Sequence, residues 1–420
     1  MIESISARYD KFREFAENVL IFCIILLAFF VSFNHGISKI IINNMFYIWL
    51  FTLNFKNLKY LIFNSRVFLI FLIFISWVYF TCLVTMNLQM SPENLFKYFA
   101  LPMIIIVTSI KTNHIKYILS SFLVGMFINE LISYGIYFEI IKSQFLGLNI
   151  TGNKNNPIPF ITSHMEYTLF LSLAIVLSIF TFFKIKNNFI RIILVLFLIT
   201  MITNLFLTTG RTGQFTLLMA SLFLLVIYFR NKIKYICYGL VLIAITFSLA
   251  FNFSLNTNSR IKDGFSDIKK AIDENYYDTS LGIRLTSYLI IPNIIKDEKF
   301  NMSYGFGYNE VDKVIQKIQI EKIGKFMNVQ LGHLHNTYIT TFAGMGIVGL
   351  FLLILLFYNI FKVNIEDNYI NYIRYSFLLI ILFGGFTENM FRQREVMILS
   401  AIFISIIIVT SLEQKKSYNE

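Results

Sequence analysis

Two arginines and a histidine carry most of the chemistry this sequence offers. Arg211 sits in Gly210-Arg211-Thr212-Gly213, a tight break between two apolar runs. Arg284 lies within a long hydrophilic stretch, roughly residues 254 to 335, and His335 closes that stretch in Gly332-His333-Leu334-His335-Asn336, where a new apolar run begins. A guanidinium keeps its charge at any physiological pH, and its planar fork bridges two phosphate oxygens. Backbone N–H groups at a glycine-flanked turn, together with the start of the following helix, also favour an anion. An imidazole titrates near pH ~6.5, so around neutrality it can take the proton of an attacking hydroxyl. Two fixed cations and a base suit a diphosphate and the group carried on it.

Other residues have both a chemical and a plain reading. Asn336 fixes the His335 ring or caps the next helix. His333, two residues before His335, is expected to point elsewhere; the His-x-His pair could bind a metal, but no third ligand is near in sequence, so no metal is expected. Arg284 grips an anion or makes a surface ion pair with Asp278 or another loop acid. His164 and Glu166 begin an apolar run, where Glu166 orients a histidine, binds an arginine, or serves a helix dipole. The segment Thr387-Glu388-Asn389-Met390-Phe391-Arg392-Gln393-Arg394-Glu395 carries two further arginines, for substrate or for interfacial snorkelling. Asn129 and Glu130 lie inside an apolar run, where a carboxyl is functional or paired. His35 and His114 read as incidental.

The elements that position these residues are set by composition. The chain is 56% hydrophobic and only 14% charged, with 47 phenylalanines; a soluble domain could not hide that surface, whereas a bilayer can. Spans need about 20 mostly apolar residues. Twelve are expected, near 16–35, 38–55, 66–86, 96–110, 117–141, 165–183, 189–208, 212–229, 234–253, 336–361, 370–387 and 395–412. The fold class is therefore an all-α polytopic membrane protein with one large outward loop, opposite the cytoplasmic face, between helices 9 and 10. Its divisions are 1–253 (helices 1–9), 254–335 (loop) and 336–420 (helices 10–12 and a cytoplasmic tail). The net charge of +12 follows the positive-inside rule when both termini are cytoplasmic. Arg211, Arg284 and His335 then share the opposite face. The basic residues form no stripe, so nucleic acid is not an expected partner. The first apolar run follows Arg8, Lys11 and Arg13 and reads as a membrane helix, not a cleavable signal. Cys23, Cys82 and Cys237 lie in apolar runs without metal spacing and read as inert thiols.

Within the loop, helices are expected at Gly264–Glu274 and Leu285–Ile295, with Asp278, Thr279 or Ser280 as a cap before Arg284. The turn Tyr304-Gly305-Phe306-Gly307-Tyr308 is expected to lie on the membrane interface as an aromatic lip. No internal repeat is evident, which weighs against an inverted-repeat transporter.

The arrangement resembles the O-antigen ligase family and the related O-antigen polymerases. The matching pieces are Gly210-Arg211-Thr212-Gly213, Ser280-Leu281-Gly282-Ile283-Arg284-Leu285, His333-Leu334-His335-Asn336 and Gly344-Met345-Gly346-Ile347-Val348-Gly349, in that order around the large loop. The ligase form is the closer one. The resemblance implies a glycosyltransferase of the bacterial inner membrane. Its donor would be a glycan on undecaprenyl diphosphate and its acceptor the lipid A–core oligosaccharide, met on the periplasmic face, with membrane lipids around it and no metal or other cofactor. Arg211 and Arg284 would bind the diphosphate and stabilise the leaving charge, and His335 would deprotonate the acceptor hydroxyl. His333, Asn336, Arg392, Arg394 and Glu166 would contact substrate. Attack opposite the leaving group would invert the anomeric centre. A polymerase joining lipid-linked units shares the donor half. A lipid-linked oligosaccharide transporter would spread charge through the membrane depth, and a structural scaffold would leave the outward arginines unexplained.

Overall fold

The computed structural model describes residues 2–33, 35–52, 54–85, 91–142, 144–145, 147–160, 163–253, 255–322 and 333–419. It is a helical bundle. The first part holds α1 (Ile2–Phe30), α2 (His35–Thr52), α3 (Asn57–Asn64), α4 (Arg66–Val84), α5 (Ser91–Leu95), a π turn at Phe96–Ala100, α6 (Leu101–Ser109) and α7 (Thr112–Tyr137). A small antiparallel hairpin, β1 (Gln144–Phe145) and β2 (Leu148–Asn149), precedes α8 (His164–Lys184), α9 (Asn188–Leu207), α10 (Arg211–Phe229) and α11 (Ile233–Phe253). The polar insertion carries α12 (Leu255–Asp273), α13 (Ser280–Leu289), α14 (Ile291–Lys296) and α15 (Val311–Lys322). The chain closes with α16 (Thr337–Lys362), α17 (Asn368–Thr387) and α18 (Arg394–Asn419).

All twelve places expected to span are helical. Among the described residues eight helices are long and apolar enough to cross a membrane, or nine if the pair Gly36–Thr52 and Asn54–Asn64, bent by 78°, is one span. The other expected segments differ in composition or continuity. The segment 16–35 begins within α1, which carries Arg13, Glu14 and Glu17; 96–110 is divided between the π turn and the nine residues of α6; 370–387 opens on the polar half of α17, with Asn368, Asn371 and Arg374. The centre of the bundle is α18, whose apolar window is wholly buried, whereas α11 buries only 6% of its own and stands at the rim. An all-round apolar helix is thus the core in one case and the outer wall in the other, a difference periodicity cannot show.

The insertion is seated on the bundle by its own small core. Ile290, Ile294, Phe306, Val311 and Ile315 pack with Leu334 and with Ile339 and Ala343 of α16. The expected stretch Gly264–Glu274 falls in α12, whereas Leu285–Ile295 is divided between α13 and α14. Thr279 is the cap of α13, its hydroxyl accepting from Gly282 N at 3.0 Å. The turn at 304–308, expected from its aromatic residues to be a lip on the membrane interface, is packed against the bundle. It docks into a break in α16. Gly346 has φ +66° in mid-helix, which interrupts the hydrogen-bond ladder and frees groups on both sides. Phe306 N donates to Ala343 O at 2.8 Å, Ile347 N donates to Met302 O at 2.8 Å, and the Trp77 indole donates to Met345 O at 3.0 Å. Phe306 is buried in consequence. Only glycine allows this contact: Gly305 has φ +71°, and a Cβ there would stand 2.4 Å from Ala343 O.

Gly305→Val should therefore cost about 1–3 kcal/mol from backbone strain alone and lower the thermal midpoint of the purified protein. An unchanged midpoint would contradict the docking of this turn into α16.

Candidate active site

The ends of α8, α10, α16 and α17 meet α13 of the insertion at one end of the bundle. Arg211 is the first residue of α10. Gly210 and Gly213 are needed there for close approach, not for a left-handed turn, since Gly210 has φ −77°. A Cβ on Gly210 would lie 2.3 Å from Thr168 Oγ1, and one on Gly213 would lie 2.4 Å from the Thr168 backbone. The two helices touch at backbone distance, which fixes the start of α10 against α8. Arg211 Nη1 is 3.9 Å from Asp267 Oδ2 of α12. Asp267 is itself held, accepting from Leu281 N at 3.2 Å.

Arg284 points from α13 to the end of α17. Its Nε donates to Thr387 O at 3.2 Å, its Nη1 to Ser280 O at 2.8 Å and Ser280 Oγ at 3.0 Å, and its Nη2 to Glu388 Oε1 at 3.2 Å. Its partner is Glu388, not the loop acid Asp278. The Glu388 side chain is fully buried, and it also meets the His335 Nδ1 at 3.0 and 3.1 Å through its two oxygens. A carboxylate at Nδ1 favours the tautomer with the proton on that nitrogen, and so leaves Nε2 as the basic one. His335 is further set by its backbone N–H, which donates to Ser287 Oγ of α13 at 3.3 Å. The link back to Arg211 is short: Thr387 Oγ1 lies 3.4 Å from Thr212 Oγ1. The start of α10 therefore lies against the end of α17, whose Thr387 and Glu388 meet Arg284 and, through Glu388, His335.

The remaining expected residues fall into two groups. Asn336 is buried and caps α16, its Oδ1 accepting from Ile339 N at 2.9 Å while its Nδ2 donates to the Tyr288 hydroxyl at 2.8 Å. Its amide is thus engaged in scaffolding. Arg392 pairs with Asp312 of α15, and Arg394 lies over the Tyr98 ring at 5.6 Å; both are exposed at the same end. Glu166 is buried in the first turn of α8, close to Glu388 and Glu395. The His333 ring is 4.9 Å from that of His335. Burial pushes the His333 pKa below its ordinary value, and the His335 and Arg392 charges add to this.

His333, His335 and Glu388 also form a group whose nitrogen and oxygen atoms all lie within 4.8 Å of one another, ligands of the kind a metal takes. The third ligand missing near the His-x-His pair is supplied by the fold, 53 positions beyond His335. A metal there would compete with Arg284 for the carboxylate.

The family model described as O-antigen ligase matches residues 196–354. The chain carries an O-antigen ligase family domain. The matched segment runs from α9 into α16 and contains Arg211, Arg284, His333 and His335, whereas Glu388 lies beyond it. No curated protein matches the chain. The family match supports activity of the O-antigen ligase or polymerase type, that of membrane enzymes acting on glycans.

Two outcomes follow from this geometry. Glu388→Gln keeps the shape of the side chain but removes the charge that holds His335 and Arg284. It should lower glycan transfer about 10²–10⁴-fold, the usual reach of a positioned general base; transfer at the wild-type rate would contradict the arrangement. For stability, a histidine whose pKa is lowered on folding binds protons less readily than in the unfolded chain. Stability is then full above its ordinary pKa of 6.5 and falls as the pH drops through the lowered folded value. Thermal midpoints measured from pH 7.5 downward should decline less in His333→Gln than in the wild type.

Proposed function

We propose that this O-antigen ligase family protein is an inverting glycosyltransferase that moves a glycan from undecaprenyl diphosphate to the lipid A–core oligosaccharide. The reaction takes place on the periplasmic face of the bacterial inner membrane, with both termini cytoplasmic. The observation that supports it best is the shared carboxylate: one buried Glu388 holds both the candidate base His335 and the candidate diphosphate ligand Arg284.

In this reading the acceptor hydroxyl gives its proton to His335 Nε2 as its oxygen bonds to the anomeric carbon. The bond from that carbon to the diphosphate breaks on the opposite side, which inverts the centre. Glu388 stabilises the imidazolium that forms, and the diphosphate leaves with its charge against Arg211 and Arg284. The two cations have different tasks. Arg284 already donates from every nitrogen, to Thr387, Ser280 and Glu388, so a phosphate oxygen reaches it by displacing the exposed Ser280 contacts. Arg211 is held by Asp267 at 3.9 Å, a long contact that a diphosphate can replace. Bidentate recognition by a guanidinium supplies the fixed positive charge that a divalent ion provides elsewhere, so no metal step is required. His333, Arg392 and Arg394 line the acceptor side.

Arg211→Ala and Arg284→Ala should each reduce transfer by at least ~10²-fold, the scale for removing one preorganised charge donor, with membrane insertion intact. His335→Ala should fail likewise, and rescue by Gln would instead make His335 a positioning group. Transfer should persist in excess EDTA; loss restored by a divalent ion would assign the His333–His335–Glu388 group to a metal. The deciding experiment incubates pure protein with a diphosphate-linked glycan and either core-bearing lipid A or a second lipid-linked unit. Glycan on lipid A–core is the expected product, and a lengthened lipid-linked glycan would make the protein a polymerase.

A further inference from the structure

The chain enters the polar insertion from the rim of the bundle. Only 6% of the apolar window of α11 is buried, and Val241, Leu242, Ile245 and Leu249 stand exposed on it. In a membrane such a surface is covered by lipid. α12 (Leu255–Asp273) begins two positions after α11 ends.

α12 does not carry on outward. The ring of Phe247 in α11 is 5.2 Å from that of Phe206, near the end of α9. Gly264 is seventeen positions further on, which would put it roughly 26 Å past that level if the helix ran straight. A Cβ on Gly264 would instead lie 4.0 Å from Arg211 Nη1, and Asp267 Oδ2 is 3.9 Å from the same atom. Arg211 opens α10 four positions after α9 ends, so these points share one level. α12 also packs against α9. The helix therefore turns at its start and lies across the end of the bundle, level with the ends of the spanning helices.

Its faces differ in a regular way. At 3.6 residues per turn, Gly264, Asp267 and Ala271 fall on one arc, and all three are buried. Leu281 lies against Gly264, and Leu281 N donates to Asp267 at 3.2 Å, so this arc is seated on the insertion. Phe265, Ile268 and Ile272 form the neighbouring arc and are 74%, 42% and 72% exposed. Lys262 and Lys269, both exposed, border that arc on its far side, and Asp263 and Asp273 come after them. A row of three large apolar side chains gains nothing in water. Beside a lipid surface it is buried, while the lysine stems follow it and their ammonium groups stay among the head groups.

We infer that α12 is an interfacial helix, whose row of Phe265, Ile268 and Ile272 enters the lipid leaflet around the candidate active site. The occupant of this face is the bilayer, continuous with the lipid that covers α11. The neighbouring arc carries Asp267 to Arg211, so the seating of α12 in the leaflet also holds an acid at the candidate site.

The test is spin-label accessibility on the full-length protein in vesicles of phosphatidylethanolamine and phosphatidylglycerol. Cys23 and Cys237 are replaced by alanine, and the fully buried Cys82 is kept. Single labels are attached through Phe265→Cys and Ile272→Cys, and on the polar side through Ser266→Cys and Asp273→Cys. All four positions are exposed, so labelling leaves the packed arc intact. Labels at 265 and 272 should be reached by oxygen and shielded from a water-soluble nickel chelate, and those at 266 and 273 should show the reverse. Free access of the chelate to all four would leave the row in water and overturn the inference. Shielding of 265 and 272 from both reagents would overturn it as well, since a protein surface such as a second copy of the chain would then cover the row.

Discussion

The buried carboxylate of Glu388 is the interaction on which the candidate site depends. Its side chain has no solvent exposure, and a carboxylate in that position is tolerable only with cationic or hydrogen-bonding partners. Arg284 and His335 supply them. Each comes from a different part of the chain: Arg284 from the polar insertion, His335 from the junction with α16, Glu388 from the end of α17. The backbone of Glu388 is held just as closely, since its N–H donates to Gly384 O at 2.9 Å and its carbonyl accepts from Thr337 Oγ1 at 2.8 Å. Loss of either partner would leave an uncompensated charge in the interior, so the same contacts that hold the His335 ring also pin the insertion to the bundle.

Around that centre, close backbone approach does the positioning. Gly210 and Gly213 let the start of α10 lie against α8, where a methyl group would clash with Thr168. Gly346 breaks α16, and the turn at 304–308 fills the break with backbone hydrogen bonds. The insertion is thereby attached at two places, by this docking and by the ion pair of Arg284. Helix packing within a bilayer draws little on the hydrophobic effect between helices, so small residues and paired polar groups carry much of the specificity here.

The sequence reveals this architecture unevenly. Helix positions were legible from apolar runs, and Thr279 as one of three candidate caps before Arg284. Arg211, Arg284 and His335 stand out because strong polar residues at the ends of apolar runs are rare. Glu388 was not legible as their partner, because it lies 104 positions from Arg284 and its neighbours Arg392 and Arg394 drew the charge argument to themselves. Asp267 was hidden among other acids of the insertion. The destination of the aromatic turn was hidden as well: tyrosine and phenylalanine suit a membrane interface as well as a packed core, and only the positive φ of Gly305, Gly307 and Gly346 distinguishes the two. The inert part of the fold is misleading in the opposite way, since α11 and α18 read alike in sequence yet occupy the rim and the centre.

The most direct test of the shared carboxylate is a double-mutant cycle on His335 and Glu388 with single-turnover glycan transfer as the readout. If Glu388 acts partly through His335, His335→Gln combined with Glu388→Gln should lose far less than the product of the two single losses, the excess over His335→Gln alone being the share Glu388 exerts through Arg284. Losses that simply multiply would show the two side chains acting independently and would contradict the account.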